Sequence, residues 1–255
     1  MIRLFHVSDV HFGSEDRTAL AWFDALVRDE VPDAVIMTGD LTMRARSREF
    51  TAAAKWLESL GRPVTVEVGN HDLPYFNLFA RFFTPYGRYL ALERMIERPL
   101  DIHGVSVVPL RTTARFQWRL NWSKGHVSAR ELQKALALVE AVPAGSVVLL
   151  ACHHPLIEGG TLANARTRGG RRALAALATA GIDAVLSGHV HDPFDIPHQV
   201  GGRTVRLIGA GTLSSRTRAS RPSFNEVRID GREIEVIARV MDGPDVELTA
   251  ETAVT

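Results

Sequence analysis

The sequence predicts an α/β fold that gives way to β structure toward its C-terminal end. Three observations carry this expectation. Short runs rich in Val and Ile recur along the chain, amphipathic helical patterns lie between several of them, and a period-two alternation surrounds Asp230-Gly231. With 255 residues, of which 45% are hydrophobic, the chain can bury a sizeable core. Residues 1–255 read as one domain, with no linker, internal repeat or low-complexity tract.

Taken in order, strands are expected at Ile2–Val7, Ala34–Met37, Val64–Val68, Val105–Leu110, Val147–Ala151, Ala184–Leu186 and Val205–Ile208. Between the first two, Leu20, Phe23, Leu26 and Val27 recur at helical spacing within Thr18–Arg28; between the next two, Phe50, Ala53, Ala54 and Leu57 do so within Glu49–Leu60. A later helix starts at Ser128, which can cap, with Glu131 completing a capping box and Val127 stapling onto Leu132; Pro143 and Gly145 end it. Arg171–Ala180 reads as another helix, stopped by Gly181 in a left-handed cap. The alternation in FNEVRIDGREIEVIARV reads as an antiparallel hairpin.

Lys plus Arg number 30 against 29 Asp plus Glu, so no net field draws the chain to nucleic acid or to an acidic membrane. The arginine clusters at Arg44–Arg48, Arg166–Arg172 and Arg216–Arg221 read as solvated surface, since no aromatic interleaving accompanies them. Cys152 is the single cysteine, which excludes an internal disulfide and a thiolate zinc cluster and fits a reducing compartment. The opening MIRLFHVSD carries no basic leader or long apolar segment, and the expected location is the cytoplasm.

The strands end in a shared chemistry. The first runs into Asp9 and His11, the second into Gly39-Asp40, the third into Gly69-Asn70-His71-Asp72, the fifth into His153-His154-Pro155, and the sixth into Gly188-His189-Val190-His191. Carboxyl ends of parallel strands lie along one edge, where ligands bind in open α/β folds. Residues two apart on extended backbone project to one side, so Asp9 with His11, and His189 with His191, are expected to face one site. Glycines before Asp40, Asn70 and His189 let backbone approach closely. Oxygen and imidazole donors without thiolate suit Mn, Fe or Zn.

In this order, D-x-H, G-D, G-N-H-D, H-H-P and G-H-x-H over Asp9–His191 resemble the calcineurin-like metallophosphoesterase superfamily. The resemblance implies a four-layer α/β/β/α sandwich and a cofactor of two divalent or mixed-valence metal ions. It assigns Asp9, His11, Asp40 and His191 to the first ion, makes Asp40 bridging, and gives Asn70, His153 and His189 to the second. It also implies hydrolysis by a hydroxide bridging the two ions, with Asn70 and His71 on the substrate phosphate. His71 would protonate or hydrogen-bond the leaving oxygen. Asp72 either orients His71 or caps backbone amides. His154 would sit beside the ligands or in the substrate wall, and His6, His103, His126 and His198 match no motif.

Leu41-Thr42-Met43 after Asp40 lacks the acid of the phosphoprotein phosphatases. His71 stands where the UDP-2,3-diacylglucosamine hydrolases carry arginine, and the motifs are most similar to the class III cyclic-nucleotide phosphodiesterases of bacteria. The implied substrate is a small phosphodiester, such as a 3′,5′- or 2′,3′-cyclic nucleotide; a diacylglucosamine-type pyrophosphate and a metal-free scaffold are the alternatives. Residues 74–98 read as a lid insertion. Phe76, Phe79 and Phe83, at helical spacing, are expected to pack within that lid or against a second copy in a homodimer, or else to line a pocket with Trp118 and Trp122 for a base or an acyl chain.

Overall fold

A computed structural model describes residues 1–97, 100, 102–114, 116, 122–158, 167–217 and 220–248; Trp118 lies outside them. The elements follow in chain order as β1 (Ile2–Val7), α1 (Arg17–Glu30), β2 (Ala34–Met37), α2 (Ser47–Ser59), β3 (Val64–Val66), α3 (Leu78–Phe83), α4 (Gly87–Ile96), β4 (Val105–Pro109), α5 (Ala129–Glu140), β5 (Val147–Ala151) and α6 (Gly170–Ala180). They continue as β6 (Ala184–Ser187), β7 (Phe194–Val200), β8 (Arg203–Gly209), β9 (Ser223–Asp230), β10 (Glu233–Val240) and β11 (Val246–Glu247).

Two mixed sheets form, in the orders β11-β10-β9-β1-β2-β3 and β4-β5-β6-β8-β7. Their facing sides bury Leu4, Ile36, Leu149, Leu186 and Ile208 in one cluster. The outer face of the first sheet packs Phe5, Val7 and Phe224 against Phe23 of α1, Leu57 of α2 and Leu92 of α4. On the second sheet, Leu150 and Val205 pack against Leu132 of α5 and Leu174 of α6. Each such side chain taken from water contributes ~1.5–3 kcal/mol. The result is the expected four-layer α/β/β/α sandwich.

Register fixes where the strand ends fall. Val7 pairs with Met37 and Met37 with Val66 in parallel strands, so the loops that carry Asp9, Asp40 and Asn70 leave one sheet at a common level. In the second sheet Ala151 pairs with Leu186, which levels the loops of His153 and His189. The ligand-bearing ends therefore come from two sheets rather than from a single edge.

Helix boundaries follow local chemistry. Asp16 caps α1 by accepting from the amides of Thr18 (2.9 Å) and Ala19 (3.1 Å). Ser128 accepts from Glu131 N–H at 3.2 Å, but the Glu131 carboxylate turns to Lys134 (2.9 Å), so only half of the expected capping box forms there. Gly181 closes α6 with φ of 113°. The Asp230-Gly231 hairpin is present, with Asp230 opposite Glu233.

Two differences have physical causes. β7 contains Pro197, which argues against a central strand; β7 pairs only with β8 at a sheet edge, where the missing amide costs no ladder bond. The second is α3 with the turn before it, whose polarity is inverted. Phe76 (74%), Phe79 (74%) and Phe83 (70%) stand exposed while Arg81 is buried (2%), its guanidinium 5.4 Å from the Trp122 ring and bonded to Ala114 O at 3.1 Å. The expectation that these phenylalanines pack inside the lid is thereby corrected: arginine takes the inner face and pushes the rings outward. No described helix is long and apolar enough to cross a membrane.

Candidate metal centre

The seven side chains expected as ligands converge between the two sheets. His191 Nε2 lies 3.1 Å from Asp9 Oδ1, and His11 Nε2 lies 3.6 Å from the same oxygen. Asp40 Oδ2 stands between His11 Nε2 (3.8 Å) and His153 Nε2 (3.4 Å). Asn70 Oδ1 is 3.2 Å from His153 Nε2, and the His189 ring centroid is 5.2 Å from that of His153. Asp9, His11, Asp40, His153 and His191 are all buried.

The route to this convergence differs from the expected one. Among the described residues eight non-glycines have positive φ, and five of them are Asp9 (56°), His11 (50°), Asp40 (54°), His189 (71°) and His191 (65°). The D-x-H and H-x-H pairs thus meet on left-handed backbone, not on extended strand. Each such residue costs ~1–3 kcal/mol, and strain of this kind persists where the surroundings over-determine it. The glycines act as expected. A Cβ at Gly188 would stand 1.8 Å from Ser8 Oγ, and one at Gly69 would stand 2.0 Å from Asp40 Oδ1.

Backbone carbonyls decide which ring nitrogen faces the centre. His11 Nδ1 bonds Thr42 O (3.4 Å), His153 Nδ1 bonds Thr38 O (2.8 Å), and His191 Nδ1 bonds Arg216 O (2.8 Å). A carbonyl only accepts, so each Nδ1 carries a proton and each Nε2 faces the centre, where giving up its own proton would offer a lone pair to an ion. Asp9 is oriented by donors on its other oxygen: Ser8 Oγ (2.6 Å) and the His189 amide (2.8 Å) both bond Oδ2.

Electrostatics favour charged carboxylates here. Burial pushes the Asp9 carboxyl up, but His191, His11 and His153 outweigh it and hold the group well below the usual range. Burial likewise raises Asp40, and His153 overrides it in the same direction as for Asp9. His153 is disfavoured as a cation by burial, yet the Asp40 carboxylate moves it up to about 9. Burial and the neighbouring His153 push His189 down to about 3, leaving a neutral imidazole.

The residues fit metal ions on an observation internal to the fold. Asp9 Oδ1 and His11 Nε2 are buried with no hydrogen-bond partner, and both point into the cluster. Ligand atoms of Asp9, His11 and His191 lie within 4.8 Å of one another, as do those of Asp9, Asp40 and His153. Polar atoms gathered this closely without hydrogen bonds would destabilise the core, and a cation would satisfy them.

His154 groups with His153 and His189, their ligand atoms within 4.8 Å of one another, yet both of its ring nitrogens are taken. Its Nδ1 bonds Thr112 Oγ1 (2.9 Å) and its Nε2 donates to Ser123 O (2.8 Å), so neither nitrogen is free for an ion. Asp72 makes no hydrogen bond to the His71 ring. Its carboxylate accepts from the amides of Leu41 (3.2 Å), Thr42 (2.8 Å) and Gly69 (2.9 Å), and from Thr42 Oγ1 (2.9 Å). The orienting role considered for Asp72 is corrected: it caps backbone, and His71 Nδ1 is held by Met43 O at 2.8 Å.

The profile of the family described as calcineurin-like phosphoesterase matches residues 2–193. The chain belongs to that family. In calcineurin-like phosphoesterase terms its fold is similar to a dimetal phosphatase of Danio rerio, at 13% identity with a TM-score of 0.69, over 98% of this chain and 99% of that one. It is also similar to the purple acid phosphatase PPD1 of yellow lupin, at 12% identity with a TM-score of 0.70, over 96% of this chain and 52% of that one. At such identities the likeness is one of fold. By sequence, 80 residues are 31% identical to the glycerophosphodiester phosphodiesterase GpdQ of Enterobacter lignolyticus, a match spanning 27% of this chain and 29% of that protein.

Beside the centre opens a cavity of about 560 Å³, lined in part by Asn70, His71, Leu73, Tyr75, Phe76 and Trp122. Arg44 stands at its rim, 5.9 Å from the Phe76 ring. One neighbour escaped sequence reasoning: Arg216, assigned to a solvated cluster, places Nη1 3.1 Å from His71 Nε2. No local pattern marks it, because a loop 145 residues away in sequence delivers it.

Proposed function

We propose that this calcineurin-like phosphoesterase is a dinuclear-metal-dependent phosphodiesterase acting on a small phosphodiester, with a cyclic nucleotide as the leading substrate. The carrying observation is the pair of buried atoms that make no hydrogen bond, Asp9 Oδ1 and His11 Nε2, packed with His191 Nε2 inside the Asp and His cluster. Asp9, His11, Asp40 and His191 would hold one ion, and Asp40, Asn70, His153 and His189 the other. When bound, such a pair clamps phosphate oxygens and supplies the nucleophile at neutral pH.

The chain's own residues do the rest. Carbonyls of Thr38, Thr42 and Arg216 keep each imidazole Nε2 aimed inward. The His71 amide bonds Asp40 Oδ1 at 2.8 Å, fixing the turn that places Asn70 and His71 in the cavity wall. Leu73, Tyr75 and Phe76 shed water from one side and offer a face on which a base can stack.

Residues 74–98 act in this reading as a lid within a single domain, in a cytoplasmic protein. A second reading, an acyl-bearing pyrophosphate substrate, is favoured by the exposed Phe76 and Phe79. The experiment is a turnover panel with Mn, Fe or Zn: cyclic nucleotides, glycerophosphodiesters (after the curated relative), aryl diesters, monoesters and sugar pyrophosphates. Cyclic nucleotides turning over fastest supports the first reading, and pyrophosphates the second. Silence across the panel with no ion taken up after supplementation leaves the metal-free scaffold.

A further inference from the structure

We infer that Arg216, rather than His71, is the group that donates to the phosphoryl and leaving oxygens, and that His71 is the positioning residue that holds it. This rests on the phosphoesterase reading above. Met43 O accepts from His71 Nδ1 at 2.8 Å, which places the ring proton there and leaves a lone pair on Nε2. A guanidinium only donates, so the 3.1 Å contact runs from Arg216 Nη1 to His71 Nε2. The ring atom expected to serve the leaving oxygen is thus engaged as an acceptor. It has no N–H to offer.

Arg216 is suited to the task that His71 gives up. The same Nη1 approaches Met43 Sδ at 3.5 Å, and among the described residues no carboxylate pairs with this guanidinium. A half-buried cation braced by an imidazole and a thioether, with no acid to neutralise it, keeps its other donors for an anion. Its backbone is tied to the proposed ligands on both sides. Arg216 O accepts from His191 Nδ1 (2.8 Å), while Arg216 N–H donates to Ser214 Oγ (3.3 Å). Ser214 Oγ bonds Thr212 Oγ1 (2.8 Å), whose hydroxyl donates to Asp9 O (2.6 Å). A side chain anchored in this way is preorganised relative to the centre.

In the hydrolysis, the bond from phosphorus to the water oxygen forms as the bond to the leaving oxygen breaks with its electron pair. The proton released from water balances the departing alkoxide. Arg216 gives hydrogen bonds and no proton, so its protonation state is unchanged across the step.

The test compares wild type, Arg216→Ala, Arg216→Lys, His71→Ala and the Ala/Ala double variant, each metal-loaded. Three quantities are read: metal content by elemental analysis, inhibition by inorganic phosphate, and kcat/KM on aryl phosphodiesters of graded leaving-group acidity. We expect unchanged metal in the Arg216 variants, phosphate inhibition weakened at least ~10-fold, and kcat/KM lowered by ~100-fold, most for the poorest leaving groups. The double variant should lose no more than Arg216→Ala alone, because His71 acts through it. Full phosphate affinity in Arg216→Ala, or independent and multiplying losses at the two positions, overturns the inference. If Arg216→Ala does not fold, Arg216→Lys decides: it keeps the charge but not the fork, and wild-type values there overturn the inference equally. Wild type lacking turnover and metal altogether would instead sink the phosphoesterase reading.

Discussion

Asp40 Oδ2 lies 3.4 Å from His153 Nε2, and the two residues are carried by strands of different sheets. With His11 Nε2 3.8 Å from the same oxygen, Asp40 would be the joint between the two halves of the proposed centre. Replacing Asp40 by Asn keeps the left-handed residue tolerable, since asparagine accepts positive φ. Asp40→Asn should retain near-native circular dichroism yet lose both ions together, whereas His191→Ala should lose one. Metal content per chain measures this, and turnover should fall by more than ~100-fold in Asp40→Asn, exceeding the loss seen when only an outer partner of a ligand is removed.

Asp72 is expected to matter for stability rather than chemistry. Three backbone amides and the Thr42 hydroxyl converge on its buried carboxylate. Each buried donor left unpaired costs ~1–3 kcal/mol, so Asp72→Ala should lower the urea midpoint by an amount equivalent to more than ~3 kcal/mol. A variant with unchanged midpoint but lost activity would return Asp72 to a catalytic role.

Gly188→Ala should damage the centre through the backbone. The added Cβ would meet Ser8 Oγ at 1.8 Å and Asp9 Oδ2 at 2.6 Å. Overpacking of this kind costs ~1–3 kcal/mol, and the shift falls on the loop that orients Asp9. The expected outcome is a measurably lower Tm together with weakened metal affinity, read by competition with a chelator; a melt matching wild type contradicts it.

Glu226 gives a pH test remote from the centre. Burial pushes its carboxyl up, but Arg228, Arg3 and Arg239 outweigh burial and bring it down to about 2. A folded-state value below the unfolded one, about 4.5, contributes stability above that pH and loses it as pH falls toward 2. Glu226→Gln should therefore melt well below wild type at pH 7, with the gap narrowing as pH drops through 4 to 3. A gap constant with pH would show that the ion pairs contribute nothing.

Much of this was legible in the sequence, and the omissions are instructive. Strands such as Val147–Ala151 declare themselves because every residue is buried, and α1 and α2 because one face is. The strand-end ligands were legible because polar residues interrupt those runs in the same way five times. Their geometry was not: positive φ at Asp9, His11 and Asp40 goes with contacts between loops distant in sequence, such as Asp9 N–H to Gly39 O at 3.0 Å. α3 misleads because its periodicity is helical while its inward residue is Arg81, an outcome decided by Trp122 and Ala114 beyond the helix. Arg216 is invisible for the same reason, since only the loop after β8 brings it to His71.

Asp9, His11, Asp40, Asn70, His153, His189 and His191 would together hold two metal ions, and the metal content of the purified, metal-supplemented chain tests this directly. Elemental analysis should find about two ions per chain, and removing them with a chelator should abolish phosphodiester turnover reversibly. A chain that takes up no ion under saturating Mn, Fe or Zn, or one that hydrolyses diesters undiminished after stripping, contradicts the account.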